Sequence, residues 1–391
     1  MPEPYLSQMF HDFLRPRTSE MLADLRDLVE CESPSLEKAP ADRCCGLLAA
    51  KWHKRGVRVE RLAQKHRGDH LRVTWVPPYT RADRRTAGQL TVLGHYDTVY
   101  ASGSLAKMPF RIKAGKAYGP GTFDMKGGLV QALFALEALQ QSRLPLTKRI
   151  VFLWNSDEEI GSDSSRKLIE SEARRSDAVF VLEPSLGPRG LLKTARKGVG
   201  EAELVVHGRA SHAGLAPHEG INAVHEIARQ IARIETWNDL PRGISINADI
   251  IEGGTRTNVI AEHARAVLDL RALRISGMRR IEKRLRALRP VHKGAKLEVR
   301  GGFNRAPLEH KVTAALFARA KSLAAQMGLS LGESTAGGGS DGNLTGALGI
   351  PTLDGLGAVG DGAHSTHEHL IVKTIPQRAA LLSALLATVK E

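Results

Sequence analysis

Residues 89–99 read QLTVLGHYDTV. A short apolar run leads directly into a histidine and, two positions later, an aspartate. A run of this length without polar interruption suits a strand covered on both faces, as in a parallel sheet. The same design recurs downstream. RIVFLWNSDEE (149–159) and AVFVLEP (178–184) are apolar runs that end in acids. Between these runs, MKGGLVQALFALEALQQS (125–142) and SSRKLIESEARR (164–175) carry apolar residues at helical spacing. Upstream, SEMLADLRDLVE (19–30) and ADRCCGLLAAKWHKRG (41–56) read as helices, RVERLAQ (58–64) and HLRVTWV (70–76) as strands, and 78–88 as a polar loop. Alternating strands and helices predict an α/β fold with a mainly parallel sheet flanked by helices.

The pattern changes near Leu192. GEAELVVHGRA (200–210) alternates apolar with polar, as a half-exposed antiparallel strand does. The helix-like NAVHEIARQIARIETW (222–237), the strands SINADIIEGG (245–254) and ARAVLDLRAL (264–273), a basic helix and KLEVRGG (296–302) follow. This β-α-β-β-α-β order is that of a small ferredoxin-like α+β domain. α/β character returns with KVTAALFARAKSLAAQMG (311–328) and KTIPQRAALLSALLATVK (373–390). The expected organisation is a catalytic domain in two parts, 1–193 and 306–391, interrupted by an inserted domain at 194–305.

The 391 residues are 42% hydrophobic and 25% charged, enough for a full core. No segment has the length of a membrane span, and the polar amino terminus has no signal-peptide core, so a cytoplasmic protein is expected. Cys31, Cys44 and Cys45 are too few and too irregularly spaced for a disulfide framework or a metal site, and read as plain helix residues. The net charge of +14 raises the question of nucleic acid. Its densest source, Arg274–Lys296, places Met278, Ile281, Leu285 and Leu288 at helical spacing. This is an amphipathic helix with a solvated basic face, and no nucleic-acid motif accompanies it.

Six residues at or after strand ends form a candidate ligand set for two metal ions: His95, Asp124, Glu158, Glu159, Glu183 and His364. Loops after parallel strands share one edge of the sheet, so residues distant in sequence can converge there. Imidazole with carboxylate suits zinc, and a carboxylate between two cations is an efficient bridge. Asp97 is either a ligand or the carboxylate that orients His95, the preferred reading. Asp124, in GPGTFDMKGG, is either a helix cap or the bridge; the other strand-end ligands favour the bridge. Of the adjacent acids, Glu159 is assigned to metal and Glu158 to general base and acid. His364, after two small residues, is chosen over its neighbours His367 and His369, which read as surface histidines.

Together GHYDTV, GPGTFDMKGG, NSDEEIGS, the strand-end Glu183 and GAHSTHE resemble the co-catalytic zinc aminoacylase and glutamate carboxypeptidase family. That family also includes acetylornithine deacetylase, succinyl-diaminopimelate desuccinylase and the carnosine dipeptidases. The resemblance implies a zinc-exopeptidase-like fold and two Zn2+ per subunit, with Co2+ or Mn2+ as possible substitutes. His95 and Glu183 would hold one ion, Glu159 and His364 the other, and Asp124 would bridge them, followed by a candidate cis peptide. It implies a lid and dimerisation role for the insertion, where GRASHAG would supply His212 to the partner subunit's site. By the same resemblance Asn258 in GGTRTNVI, Arg271 in DLR, and Gly339 and Ser340 in GGGSDGN would contact substrate; Arg271 could equally be a surface arginine. ESTAGGGSD departs from the glutamate carboxypeptidase branch, nearest to this chain, by lacking the arginine ahead of its glycine loop. Glutamate specificity is therefore in doubt, while hydrolysis is not. The expected function is carboxypeptidase-type hydrolysis of a small peptide. N-acyl-amino-acid deacylation is the runner-up, and an inactive basic peptide- or nucleic-acid-binding protein the reading from another class.

Overall fold

In a computed structural model, residues 5–78 and 88–389 are described; the expected polar loop at 78–88 falls almost wholly outside them. In chain order the elements are α1 (Leu6–Leu14), α2 (Thr18–Glu30), α3 (Lys38–His53), β1 (Arg58–Leu62), β2 (His70–Trp75), β3 (Gln89–His95), β4 (Arg111–Lys113), β5 (Lys116–Tyr118), α4 (Gly127–Ser142), β6 (Arg149–Asn155), α5 (Arg166–Ala173), β7 (Ala178–Val181) and β8 (Leu192–Arg196). After these come β9 (Gly198–His207), α6 (Ala223–Glu235), β10 (Ile244–Gly253), β11 (His263–Ala272), α7 (Ile275–Arg286), β12 (Lys296–Arg305), α8 (His310–Ala325), β13 (Glu333–Ala336), α9 (Asp341–Ala347), β14 (Thr352–Leu353), β15 (Gly360–Asp361), β16 (His369–Ile371) and α10 (Ile375–Thr388).

Two compact units result. The first comprises Met1–Thr194, His310–Thr335 and Ser340–Glu391; the second comprises Ala195–Glu309 with Ala336–Gly339. The insertion thus runs four residues past Arg305, and the chain returns to it once more, through the glycine loop.

In the first unit a six-stranded sheet has the order β1-β2-β6-β3-β7-β14. β6, β3, β7 and β14 are mutually parallel, and β2 and β1 continue the sheet in antiparallel fashion. Every residue of β3 is buried, which is why its sequence shows no alternation. Register sets the site. His95 stands opposite Asn155, three residues before Glu158, and Leu93 stands opposite Val181, two before Glu183. The three strands therefore release their loops side by side. The core includes Trp52, whose ring lies 4.6 Å from Phe152 and 5.9 Å from Trp154. α4 and α10 are buried on most sides, so their amphipathicity is weak.

A second sheet of four very short strands, β15-β16-β5-β4, was not foreseen. Segments of two or three residues are too brief to show periodicity. This sheet corrects the reading of His369 as a surface histidine. His369 is buried on β16, its Nδ1 donates to the carbonyl of His367, and its ring lies 5.2 Å from that of Tyr118. His367 is exposed as expected. Cys44 and Cys45 are buried in α3, but Cys31 follows α2 instead of lying within it.

In the inserted unit all pairs of the β10-β11-β9-β12 sheet are antiparallel. α6 and α7 pack on it through Ile227, Ile234, Ile281 and Leu285. α7 ends at Arg286, within the basic stretch Arg274–Lys296, and its basic residues lie off the buried face. Among the described residues, no helix is long and apolar enough to cross a membrane.

Candidate active site

His95 closes β3 and is 1% exposed. Its Nδ1 donates to the backbone carbonyl of Asp97 at 3.0 Å, and the Asp97 carboxylate lies 3.4 Å away. The Nδ1 proton is thereby fixed, and Nε2 is turned toward Asp124 and Glu183. Gly94 permits this packing: a Cβ there would stand 2.5 Å from the methyl carbon of Met125, whose sulfur accepts from the His95 N–H. The Asp97 carboxylate does more than orient a ring. It accepts from Ser35 Oγ at 2.7 Å and from the backbone N–H groups of Glu158 and Glu159, both at 3.3 Å, and so fixes the acid pair as well.

Asp124 lies in the irregular turn before α4, and the Asp124–Met125 peptide is cis. Its Oδ1 is 3.3 Å from His95 Nε2, and its Oδ2 is 3.6 Å from His364 Nε2. Glu183 Oε1 is 3.4 Å from His95 Nε2, and Glu159 Oε2 is 3.1 Å from His364 Nε2. Two groups have their ligand atoms within 4.8 Å of one another: His95, Glu158 and Glu183, and His95, Asp124 and Glu159. His364 reaches the site from a loop in which its own φ is +62°, a left-handed conformation uncommon outside glycine.

The electrostatics suit a cation. Burial pushes Glu159 up to about 7, and the nearby Asp124 charge adds to this. Burial would also raise Asp124, but the facing His364 and His95 imidazoles hold it well below the usual carboxylate range. Hydrogen bonds to Asp124 and Glu159 lift His364 to about 10. Asp124 Oδ1 is buried without a hydrogen-bond partner, and four carboxylates share a small volume with two imidazoles. Such a donor set and such an orphaned oxygen fit divalent metal, which removes the like-charge repulsion.

Two contributors were not assigned to the site from the sequence. Glu368 is 1% exposed; its carboxylate accepts from the N–H groups of Gly121 (3.0 Å), Phe123 (2.8 Å) and Asp124 (2.9 Å) and from Tyr100 Oη (2.7 Å). The turn that presents Asp124 is built around this acid. Only the charge within an otherwise apolar strand start, EHLI, hinted at it. Lys193, also buried, has Nζ 3.8 Å from Glu183 Oε2.

The remaining expected residues divide. Within the inserted unit, His212 pairs with Val259 across an antiparallel bridge, and the Ala213 N–H donates to the Asn258 carbonyl at 2.9 Å. GRASHAG and GGTRTNVI are thus neighbours, and His212 and Asn258 are both exposed. His212 Nδ1 accepts from the N–H groups of Gly214 and Leu215, so a neutral ring carries its proton on Nε2. Arg271 already grips Asp269, two positions away on β11, with Nε–Oδ1 at 2.8 Å and Nη2–Oδ2 at 2.7 Å. The Gly339 carbonyl accepts from Arg196 Nη1 at 3.1 Å. Ser340 is fully buried and caps α9: its hydroxyl donates to Asp354 and accepts from the Gly342 N–H, and its own N–H donates to Asn343. Its polar groups are engaged in that cap.

This fold with this cluster defines a metal-dependent hydrolase. The chain belongs to Peptidase family M20/M25/M40, whose model matches residues 91–388. It is 32% identical over 310 residues to carboxypeptidase G2 of Pseudomonas sp. strain RS-16, covering 77% of this chain and 74% of that protein. It is 29% identical over 307 residues to a succinyl-diaminopimelate desuccinylase of Paraburkholderia xenovorans, covering 74% and 80%. Among solved structures, aminopeptidase PepT of Bacillus cereus aligns with a TM-score of 0.75 at 23% identity, covering 95% of this chain and 98% of that one. That likeness bears on the fold.

Proposed function

We propose that this hydrolase holds two divalent ions, zinc foremost with cobalt or manganese as substitutes, and releases the C-terminal amino acid of a small peptide or peptide-like amide. The observation that carries this reading is Asp124, whose two oxygens face separate imidazoles, Oδ1 toward His95 and Oδ2 toward His364. His95 and Glu183 hold one ion, Glu159 and His364 the other, and Asp124 lies between them. Bound there, the ions supply Lewis acidity to water and to the scissile carbonyl. Glu158 takes the proton of the attacking water and returns it to the leaving amine. Asp97 keeps His95 and the Glu158–Glu159 turn in position. Identity to carboxypeptidase G2 supports the carboxypeptidase reading.

The inserted unit acts as lid and dimer interface, its boundaries close to the expected 194–305. His212 donates its Nε2 proton to the developing oxyanion in the partner copy's site. Asn258, its neighbour, and the Gly339 loop bind substrate. Arg271 does so only if it releases Asp269, and Ser340 contributes by holding the loop. Ser334 and Thr335 stand where an arginine would grip a terminal glutamate, so the released residue need not be glutamate.

N-acyl-amino-acid deacylation is the second reading, supported by the identity to a desuccinylase. Zinc titration combined with a screen of dipeptides, folate-like conjugates and N-acyl amino acids tests both. Two ions per chain and fastest turnover of peptides are expected. Preference for N-acyl amino acids would select the second reading, and one ion per chain would remove the bridging role of Asp124.

A further inference from the structure

Arg378, in the first turn of α10, lies in the first unit but belongs to none of the machinery above. It is 6% exposed and lines a cavity of about 120 Å3. Its Nη2 donates to the carbonyl of Gly190, whereas Nη1 is buried with no hydrogen-bond partner. Burial lowers this guanidinium to about 10, with no acidic neighbour acting against the shift. A buried cation without a counter-charge is costly and calls for a partner.

The walls of the cavity specify that partner. Arg189, Ser330, Thr374 and Gln377 join Arg378 in the lining, with Leu381 among the apolar residues, and no carboxylate is present. The cavity lies along the side of the first two turns of α10, where Thr374, Gln377, Arg378 and Leu381 share one face at helical spacing. A water needs about 10–15 Å3 of such volume, so several waters or one compact ion fit. Guanidinium groups bind oxyanions through paired N–H donors, whereas metal cations and apolar molecules would leave the charge unanswered. We propose that this cavity is a binding site for a compact oxyanion of the phosphate type.

Calorimetric titration of inorganic phosphate into the full-length metal-loaded protein, at fixed ionic strength in chloride, tests this. One saturable site per chain is expected, weakened at least about tenfold in Arg189→Ala, whose residue is exposed, and abolished in Arg378→Met. Low-millimolar phosphate should raise the melting temperature of the wild type but not of Arg378→Met, and turnover of Arg189→Ala should be unchanged. Equal binding of glycerol phosphate would assign the site to a phosphoryl group on a metabolite, and binding of inorganic phosphate alone to the free ion; either upholds the proposal. Absence of a saturable site, or binding undiminished in both variants, overturns it. Should Arg378→Met fail to fold, Arg189→Ala decides alone.

Discussion

Glu159 and Glu298 are the same residue type in two regions of one chain, and their fates are opposite. Glu159 lies at the crowded edge of the first unit's sheet, where burial and the nearby Asp124 raise it to about 7. Glu298 lies on the open face of β12, where hydrogen bonds from Lys296 and Arg300 lower it to about 2. On the open face of its sheet the inserted unit sets acids among basic neighbours, as Arg265 is paired with Glu203 and Glu252. The first unit gathers Asp124, Glu158, Glu159 and Glu183 around two imidazoles. Exposed pairs of the former kind add little to stability. Acids crowded out of water store a demand for a cation, and this is the physical content of the candidate site.

Substitution can break this contrast, most strongly at the crowded edge. Glu158→Gln should lower turnover by about 10²- to 10⁴-fold, the usual contribution of general acid–base catalysis. Metal content by elemental analysis should stay at the wild-type value; loss of metal together with activity would make Glu158 a ligand instead. Glu368→Gln should weaken metal binding about 10- to 100-fold in a chelator competition, because the turn carrying Asp124 is organised by this carboxylate. Unchanged affinity would mean that the backbone holds the turn unaided.

The inserted unit has one acid that behaves otherwise. Glu226 is fully buried; although burial opposes its charge, hydrogen bonds from Gln230 and the N–H groups of Val291 and His292 keep it below its usual value. Its contribution is complete above the unfolded value of 4.5 and is lost as pH falls through the lower folded value. Glu226→Ala should therefore destabilise the unit by about 1–3 kcal/mol in urea melts at pH 7, with the difference shrinking toward pH 3. A difference independent of pH would assign the loss to packing. At the small end, Glu298→Gln should leave the unfolding midpoint unchanged within error.

Much of the first unit was legible because burial on both faces leaves uninterrupted apolar runs, and the chemistry follows directly at the carboxyl ends of β3, β6 and β7. His95, Glu158, Glu159 and Glu183 could be found that way. Asp124 and His364 lie in glycine-rich loops, where residue type and family resemblance, with no periodicity, marked them. Glu368 was passed over because an acid whose partners are backbone N–H groups 244 to 247 positions away leaves no local pattern. Ser340 caps α9, a role that sequence cannot separate from substrate contact because a capping hydroxyl and a binding hydroxyl look alike.

By itself the sequence determined the alternation of elements, the placing of an α+β insertion within an α/β chain, and the kinds of ligand available, since these depend on local hydrophobic period and residue chemistry. Tertiary structure alone decided that His95 stands in register with Asn155, that Asp124 faces two imidazoles, and that Arg378 is buried with an unanswered charge. Those outcomes depend on which strands pair and on how far water is excluded, and such non-local quantities are not carried by any one stretch of residues.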